Sequence, residues 1–293
     1  MVTFSKKGSE YILALGGGGA RGLAHIGVLK VLQKEGIKIR AIVGMSMGSV
    51  IGGMYAYYGD AIEVEEVFRK FFLSNFHETI GRTFFLLSED QNALHEPGNV
   101  VKKFGRSVIY FKAASSGSVL SRGILEETIG FLLPDIRFKD LQIPFACVAA
   151  DLVTGKEVIL NEGRILPAVV ASSSIPGIVE PLRIGNALLV DGSVTGTVPV
   201  LAARKTFSGK VVAVDVAMDL KRDQELGTAF EVALRADEIT NYYLNRVWLS
   251  EADVVIHPKV GRTNWANFNK LDEMVSAGET AAKKVLTQLN KRN

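Results

Sequence analysis

Short apolar runs alternate along the chain with longer segments in which apolar residues recur every three or four positions. The short runs predict buried β-strands, and they cover 11–15, 39–45, 143–151, 158–160, 188–191, 211–216 and 254–256. The longer segments predict amphipathic helices, which begin near residues 23 and 47 and cover 61–75, 165–171, 228–249 and 271–289. This alternation is typical of an α/β protein.

The first two predicted strands and the helix between them form a βαβ unit. The strand at 11–15 runs into the glycines at 16–19, a helix follows, and Gly36 ends that helix before the strand at 39–45. Strands connected in this way are expected to be parallel neighbours. The glycine loop and the residue after the second strand therefore emerge at one carboxyl edge of the sheet, where open α/β sheets bind ligands.

A serine occupies the corner between the second strand and the second helix, in the pattern Gly44-x-Ser46-x-Gly48. A strand, a sharp turn and a helix around such a serine form the context of a nucleophile elbow. Glycine neighbours let the strand and the helix pass closely, and a helix N-terminus favours developing negative charge. Ser46 is thus the candidate nucleophile, and an ordinary Gly/Ser turn is the alternative interpretation of the same pattern.

The glycine loop offers backbone amides beside this serine. Acyl transfer needs two N–H donors aimed at the carbonyl oxygen that becomes an oxyanion, and the loss of one donor costs on the order of 3 kcal/mol of barrier. We expect Gly18 and Gly19 to supply the donors. Arg21 has two interpretations, either a source of positive potential at the site or an arginine of the surface or of a helix contact.

A dinucleotide site is a rival interpretation of the same loop. The spacing Gly17-x-Gly19-x-x-Gly22 after a strand matches the dinucleotide fingerprint. That fingerprint also requires an acidic residue at the end of the second strand, which binds a ribose hydroxyl. The second strand ends at Ser46 instead, and Glu35 precedes the strand. The context therefore argues against a nicotinamide-dependent oxidoreductase.

A serine hydroxyl needs a neighbour that takes its proton, and the usual partner is histidine. His25 lies among apolar residues of the first helix and fits a packing role. His77 and His95 fall in an irregular segment. His257 follows a short strand and is the one histidine that a Ser–His–acid triad could use.

Asp191 is the better candidate base. It ends the apolar run at 188–191, and Gly192 lets another group approach it closely. A carboxylate that is hydrogen-bonded directly to a hydroxyl can accept its proton when an oxyanion hole stabilises the transition state. Asp151 and Asp215 also lie in or near strand ends, and we expect structural roles for both.

The segment 76–125 shows no clear periodicity and mixes aromatic and basic residues with glycine and serine. One interpretation is a lid or insertion whose apolar and basic side chains meet an anionic lipid surface. The other interpretation, which this composition favours, is that the aromatic residues cover the sheet while the basic residues are solvated.

Composition narrows the class of protein. Apolar residues make up 47% and charged residues 22%, which is ordinary for a soluble globular chain, and a net charge of +3 is too small to indicate nucleic-acid binding. Cys147 is the single cysteine, so no internal disulfide forms. No apolar window approaches the ~20 residues of a membrane span, and the N-terminus lacks a signal-peptide core. We therefore expect one cytoplasmic domain over 1–293, and these features leave its oligomeric state open.

Three motifs in order resemble those of the patatin-like phospholipase family. They are Gly17-Gly-Gly-Ala-Arg21-Gly22, Gly44-Met-Ser46-Met-Gly48 and Asp191-Gly192, and Ala171-Ser-Ser-Ser-Ile-Pro176 is similar to the family's segment ahead of the aspartate. The resemblance extends from about residue 11 to residue 216. It is strongest to bacterial single-domain members and to the catalytic domain of the neuropathy-target-esterase type.

The resemblance implies a three-layer α/β/α sandwich with a mainly parallel central sheet. It further implies a metal-independent hydrolase without a cofactor, acting on phospholipid, lysophospholipid or neutral-lipid acyl esters through a Ser–Asp dyad. By position, Ser46 is the nucleophile and Asp191 the base. The oxyanion hole is then formed by Gly17, Gly18 and Gly19. The supporting residues are Arg21, Gly22, Gly44, Gly48 and Gly192.

Two positions depart from the family pattern. Ser193 stands where the family usually has glycine or alanine, and Gly16 stands where plant members have an aspartate. Neither belongs to the dyad. The expected partner is a lipid or acyl-ester substrate, with peripheral membrane contact as a further expectation. A non-catalytic lipid- or acyl-binding regulator is the alternative from a different functional class.

Overall fold

A mixed β-sheet forms the centre of the protein. The structure is a computed structural model, and it describes residues 10–74, 118–218, 220, 229–261 and 263–290. The strands in these ranges are β1 Glu10–Leu15, β2 Lys38–Met45, β3 Ser118–Leu120, β4 Phe145–Asp151, β5 Lys156–Leu160, β6 Gly177–Val179, β7 Leu182–Ile184, β8 Ala187–Asp191, β9 Lys210–Val214 and β10 Val254–Ile256.

Helices connect and cover these strands. The α-helices in the described ranges are α1 Ala24–Lys34, α2 Met47–Tyr58, α3 Ala61–Leu73, α4 Arg122–Leu132, α5 Ile165–Ser172, α6 Val200–Thr206, α7 Ala229–Leu249 and α8 Leu271–Asn290. Short 3-10 turns cover Gly19–Leu23, Phe138–Asp140, Gly192–Thr195 and Phe268–Lys270. None of the helices in this part of the chain combines the length and the apolar character needed to cross a membrane.

The strand order in the main sheet is β10-β9-β1-β2-β4-β8-β7, and β5 also pairs with β4. The strands from β10 to β4 run parallel to their neighbours. In contrast, β5 and β8 run antiparallel to β4, and β7 runs antiparallel to β8. Strands β3 and β6 form a separate parallel pair. The predicted mainly parallel sheet is confirmed, with antiparallel strands concentrated beyond β4.

Alternate residues of β1 face two separate apolar cores. Leu13 and Leu15 pack with α1, α2, α5 and α8 on one face, whereas Ile12 and Ala14 pack with α6 on the other. All four side chains are fully buried. Full burial of one such leucine or isoleucine contributes about 1.5–3 kcal/mol. Helices therefore cover both faces, and the predicted three-layer sandwich is confirmed.

The helical connections that follow β1 and β9 lead to opposite sides of the sheet. The unit β1–α1–β2 moves towards β4, whereas β9–α7–β10 moves towards the opposite edge. A reversal of this kind opens a crevice at the carboxyl ends of the strands. The glycine loop that follows β1 lies beside this crevice, so the fold places it where a ligand can enter.

Most predicted elements are present, with boundaries that shift by a few residues. The strand predicted at 143–151 begins at Phe145, because Pro144 has no N–H for the ladder. Helix α1 begins at Ala24, after a 3-10 turn at Gly19–Leu23. Helices α4 and α6 and strands β3, β6 and β7 were not predicted; the strands are too short to show a period. Of the segment 76–125, residues 76–117 lie outside the described ranges.

His25 anchors the glycine loop from inside the protein. It is fully buried in α1, and its Nε2 lies 2.8 Å from the Gly16 carbonyl oxygen, to which it donates. Its Nδ1 has no hydrogen-bond partner within the described ranges. Burial lowers the pKa of His25 to about 4, against smaller opposing effects of the Gly16 hydrogen bond and of Asp215. The predicted packing role of His25 agrees with this environment.

Acid should destabilise the fold through His25. The histidine is protonated in the unfolded chain below a pKa of about 6.5 but in the folded chain only below about 4. The unfolded state thus binds the additional proton as the pH falls from 6.5 to 4, and stability is lost across this window. At 1.36 kcal/mol per pKa unit, the loss attributable to His25 approaches about 3 kcal/mol.

The measurement is the free energy of unfolding by urea between pH 7 and pH 4, for the wild type and for His25→Gln. Glutamine keeps an N–H donor but has no proton to gain. We expect the wild type to lose more stability than the variant over this range, whatever their difference at pH 7. Parallel curves for the two proteins would contradict the assignment.

Candidate active site

Ser46 forms the sharp turn between β2 and α2. Its backbone angles are φ 53° and ψ −126°, and among the described residues no other non-glycine has a positive φ. Such a conformation costs of order 1–3 kcal/mol and persists only where the surrounding structure enforces it. The residue is 6% exposed, so its hydroxyl is available only to a group that enters the site.

Glycines allow the close backbone contacts around this turn. A Cβ atom on Gly44 would overlap the Gly48 carbonyl, and a Cβ atom on Gly48 would overlap the Leu15 carbonyl. A Cβ atom on Gly22 would lie 2.5 Å from the Cγ of Met47. Since real Cβ contacts are never this short, these positions keep β1, β2 and the start of α2 together.

Asp191 meets Ser46 because two strands approach each other along one edge of β4. Strand β2 runs parallel to β4, and its last pair is Met45 with Val148. Strand β8 runs antiparallel to β4, and its last residue, Asp191, pairs with Ala149. Strand β5 pairs with these same β4 residues from the opposite edge. The carboxyl ends of β2 and β8 therefore face each other one residue apart.

Asp191 is buried, with 1% of its surface exposed. Its Oδ1 accepts a hydrogen bond from the Ser193 N–H at 2.9 Å. Burial raises the pKa of Asp191, whereas the nearby hydroxyls of Ser46 and Ser193 and the Ser193 amide act in the lowering direction. Gly192 passes so close to β4 that a Cβ atom would lie 2.5 Å from the Val148 carbonyl oxygen. The structure thus brings Asp191 and Ser46 together, and Ser193 adds a donor to the carboxylate.

The glycine loop is held in place by its own amides. Most N–H groups from residue 16 to residue 21 donate to a carbonyl of another segment or of the loop itself. The engaged amides and their acceptors are Gly16 with Val214, Gly17 with Thr197, Ala20 with Trp265 and Arg21 with Gly18, at 2.6 to 3.2 Å.

The amides of Gly18 and Gly19 differ from these. Within the described ranges, neither N–H donates to another group of the chain. Gly17 does not match the expectation of a third donor, because its N–H is bound to Thr197; the absent side chain instead provides space, since a Cβ atom there would lie 3.1 Å from the Cβ of Ser46. The loop therefore leaves two consecutive amides unused beside the serine.

Arg21 is directed at the loop rather than at the surface. Its Nε donates to the Gly18 carbonyl oxygen at 3.1 Å, and its backbone N–H donates to the same oxygen at 3.2 Å. Burial lowers the pKa of Arg21, while the charges of Glu238 and Asp215 act in the opposite direction. Because Gly18 C=O and Gly19 N–H belong to one peptide group, two donors on the carbonyl orient the opposite N–H away from Arg21.

The other candidate bases have different partners. His257 Nδ1 lies 3.2 Å from Oδ2 of Asp215, and the other Asp215 oxygen accepts from the Ala217 N–H. Asp151 accepts hydrogen bonds from groups of the β4–β5 turn and from Leu188. These contacts agree with the structural roles expected for both aspartates. His77 and His95 lie outside the described ranges.

A metal site and a dinucleotide site are the two other kinds of site to consider. The part of the chain that the structure describes has no group of three or more His, Cys, Asp or Glu side chains arranged to hold a metal ion. A dinucleotide site of the expected type would place an acidic residue at the end of β2, where the chain has Met45 followed by Ser46.

Sequence reasoning missed Ser172 and Trp265. Ser172, at the end of α5, accepts a hydrogen bond from the Ser46 N–H. The Trp265 carbonyl accepts one from the Ala20 N–H at the glycine loop. The run of serines at 172–174 was visible as part of a family-like segment, but no local pattern indicated its contact with Ser46. Trp265 lies in an irregular segment more than 240 residues from the loop, and the sequence holds no signal for that contact.

Comparison with known proteins identifies relatives of this chain. The family model described as patatin-like phospholipase matches residues 13–204. An uncharacterized NTE family protein of Mycobacterium tuberculosis is 28% identical over 298 residues, which cover 94% of this chain and 46% of the relative. A lysophospholipase NTE1 of Eremothecium gossypii is 31% identical over 204 residues, which cover 70% of this chain and 12% of that protein. The chain thus spans about half, or less, of the length of these relatives.

A solved structure shares the fold. The crystal structure of VipD from Legionella pneumophila aligns with a TM-score of 0.52 at 14% sequence identity, over 96% of this chain and 67% of that one. The matched family region contains the glycine loop, Ser46 and Asp191. On the evidence of this match over most of its length, the chain belongs to the patatin-like phospholipase family.

Proposed function

We propose that the protein is a serine hydrolase of lipid acyl esters, with Ser46 as nucleophile and Asp191 as base. The observation that carries this proposal is the buried Ser46 hydroxyl beside the buried Asp191 carboxylate, close enough to act on the pKa of that group, next to the unused amides of Gly18 and Gly19. Family membership supports a lipid substrate. The proposal covers phospholipid, lysophospholipid and neutral-lipid esters alike, because the residues described above are assigned to the chemistry of the ester group and not to a head group.

In the acylation step, the Asp191 carboxylate takes the hydroxyl proton while Ser46 Oγ forms a bond to the ester carbonyl carbon. The carbonyl oxygen becomes an oxyanion and accepts hydrogen bonds from Gly18 and Gly19. The C–O bond to the alcohol then breaks, and Asp191 returns the proton to the leaving alcohol. A fatty acyl group remains on Ser46.

In the second step, Asp191 takes a proton from water as the water oxygen attacks the acyl carbon. The same amides stabilise the second oxyanion. Collapse breaks the bond to Oγ, which recovers its proton from Asp191, and the fatty acid leaves. Each step returns the carboxylate to its starting state, so one group serves as base and as acid.

The environment of Asp191 supports this double role. A carboxylate with an ordinary pKa near 3.9 is a weak base towards an alcohol. Burial raises the pKa of Asp191, and the stronger base retains the Ser46 proton more readily. The buried site also strengthens the interaction of the two amides with an oxyanion.

Arg21 contributes to the oxyanion hole through the peptide between Gly18 and Gly19. Hydrogen bonds to the carbonyl of a peptide polarise its N–H, which becomes a better donor. The Gly18 carbonyl accepts two such bonds from Arg21. We assign Arg21 to the support of the Gly19 amide, which fits the first of its two sequence interpretations.

Replacement of either dyad residue should abolish hydrolysis. We expect Ser46→Ala and Asp191→Asn each to lower kcat for a short p-nitrophenyl ester by at least about 1,000-fold, as in other serine hydrolases that lose nucleophile or base. The measurement is steady-state hydrolysis together with circular dichroism of each variant.

Asp151→Asn is the matched control, because Asp151 is also a buried carboxylate at a strand end but has its partners in the β4–β5 turn and at the Leu188 N–H rather than at Ser46. It should lose stability and keep kcat in the folded protein. Full activity of Ser46→Ala or Asp191→Asn would refute the dyad. Lipid binding without labelling of Ser46 by a fluorophosphonate would favour the non-catalytic regulator instead.

The pH dependence of activity should report Asp191. The base must be ionised, so kcat/KM rises with pH through the pKa of Asp191 in the free enzyme. Because burial raises that pKa above 3.8, the acid limb should have its midpoint above 3.8. The measurement is kcat/KM between pH 4 and pH 8, with circular dichroism at each pH to exclude unfolding. A flat profile down to pH 4 in folded protein would contradict the assignment.

A further inference from the structure

A hydrogen bond that the sheet register predicts at the nucleophile is replaced by a side chain. Met45 pairs with Val148 in the parallel ladder of β2 and β4. The Ile42 N–H donates to the Pro144 carbonyl, and such bonds recur at every second residue along a parallel strand. The register therefore predicts a bond from the Ser46 N–H to the Val148 carbonyl.

The hydroxyl of Ser172 stands between these two groups. Its Oγ accepts from the Ser46 N–H at 3.2 Å and donates to the Val148 carbonyl oxygen at 2.6 Å. The Ser172 carbonyl shares the same Ser46 N–H at 3.1 Å. Ser172 is fully buried, so no solvent molecule competes for these groups. The Ser172 hydroxyl thus bridges the two backbone groups, in place of a direct hydrogen bond between β2 and β4 at the nucleophile.

This bridge has a consequence for Asp191. Strand β2 leaves the edge of β4 after Val148, and β8 occupies the same edge from Ala149 onwards. The Asp191 N–H does not continue along β4 but donates to the Ser174 carbonyl at 2.9 Å. The carboxyl end of α5 therefore fixes the backbone of both dyad residues.

We propose that Ser172 is a positioning residue for the nucleophile, and that its hydroxyl holds Ser46 in the strained turn that aims Oγ at the ester. The inference rests on the proposed function of Ser46 and Asp191. The Ser172 hydroxyl is important because the backbone of Ser46 is strained. A positive φ at a non-glycine residue persists only while the neighbouring backbone is fixed. The Ser172 hydroxyl binds the Ser46 N–H and the Val148 carbonyl, so it acts through the backbone of Ser46.

Ser174 provides a matched comparison within the same turn. It is also fully buried, and its Oγ donates at 2.8 Å to the Val170 carbonyl of its own helix. Its side chain makes no hydrogen bond to the Ser46 backbone within the described ranges, whereas its carbonyl, which binds the Asp191 N–H, remains in any variant of the side chain. Removal of either hydroxyl deletes one buried hydrogen-bonding group from the end of α5, but of these two hydroxyls only that of Ser172 binds the Ser46 N–H. The hydroxyls of Ser49 and Ser173 bind the Ser46 carbonyl instead and stay in both variants.

The experiment compares Ser172→Ala and Ser174→Ala with the wild type, at a temperature well below unfolding of all three. We expect Ser172→Ala to lower kcat for the p-nitrophenyl ester at least tenfold with KM changed less than twofold. The rate constant for labelling of Ser46 by a fluorophosphonate should fall to a similar extent. The acid midpoint of the pH profile should stay in place, since Asp191 keeps its environment. Ser174→Ala should remain within twofold of the wild type in all of these measurements.

Wild-type kcat and labelling in Ser172→Ala, or an equal loss in Ser174→Ala, would overturn the proposal. If Ser172→Ala does not fold, Ser172→Cys replaces it, because a thiol is a weaker donor at the same position; wild-type labelling in folded Ser172→Cys would also overturn it. Ser46→Ala separates this inference from the proposed function. Activity in Ser46→Ala defeats both, whereas an inactive Ser46→Ala with a fully active Ser172→Ala defeats only the positioning role.

Discussion

One edge of β4 is shared by two strands that run towards each other, and the geometry of the site depends on this arrangement. Strand β2 uses the edge up to Val148, and β8 uses it from Ala149. Two strand ends therefore meet head to head inside one sheet. Each delivers a polar residue, Ser46 or Asp191, to the same point. A sheet that was parallel throughout would place both carboxyl ends at one rim, side by side, rather than end to end.

The glycine loop completes the site with backbone amides that are held rigidly by surrounding hydrogen bonds. Its backbone is fixed on several sides, by the buried His25 ring at Gly16, by Thr197 at Gly17 and by Arg21 at Gly18. Donors held in this way need no reorganisation when charge develops, which is the main source of oxyanion stabilisation. Rigidity here comes from partners contributed by α1 and by the segment after β8. The site is consequently a property of the packed fold and not of the loop alone.

Short sequence patterns were sufficient to predict the turn at Ser46 and the strand end at Asp191. The Gly44-x-Ser46-x-Gly48 pattern between an apolar run and a helical period predicts a sharp turn, because the close contact of strand and helix excludes a Cβ at both glycines. The end of an apolar run at Asp191 was also visible. Whether the carboxylate would reach Ser46 was not, because β8 joins the sheet antiparallel and a run of five residues carries no sign of its direction.

Contacts between distant segments account for what the sequence did not predict. Gly17 and Gly18 look equivalent in the sequence, yet Gly17 donates to Thr197, whereas the Gly18 amide has no acceptor in the part of the chain that the structure describes. Ser172 resembles its neighbours Ser173 and Ser174 in the sequence and differs from them in its contacts, which are the Ser46 N–H and the Val148 carbonyl. Helix α6 has seven residues between Pro199 and Phe207, too few for a clear helical period. In each case tertiary packing decides a role that residue type and spacing leave undetermined.

The most direct test of this account is a crystal structure of the protein after reaction with an alkyl fluorophosphonate, in which the phosphonyl oxygen stands in for the oxyanion. We predict a covalent adduct on Ser46 Oγ, with the phosphonyl oxygen within hydrogen-bonding distance of the Gly18 and Gly19 amides and the Asp191 carboxylate beside Oγ. An adduct on another residue, or a phosphonyl oxygen on Ser46 that points away from both amides, would contradict it.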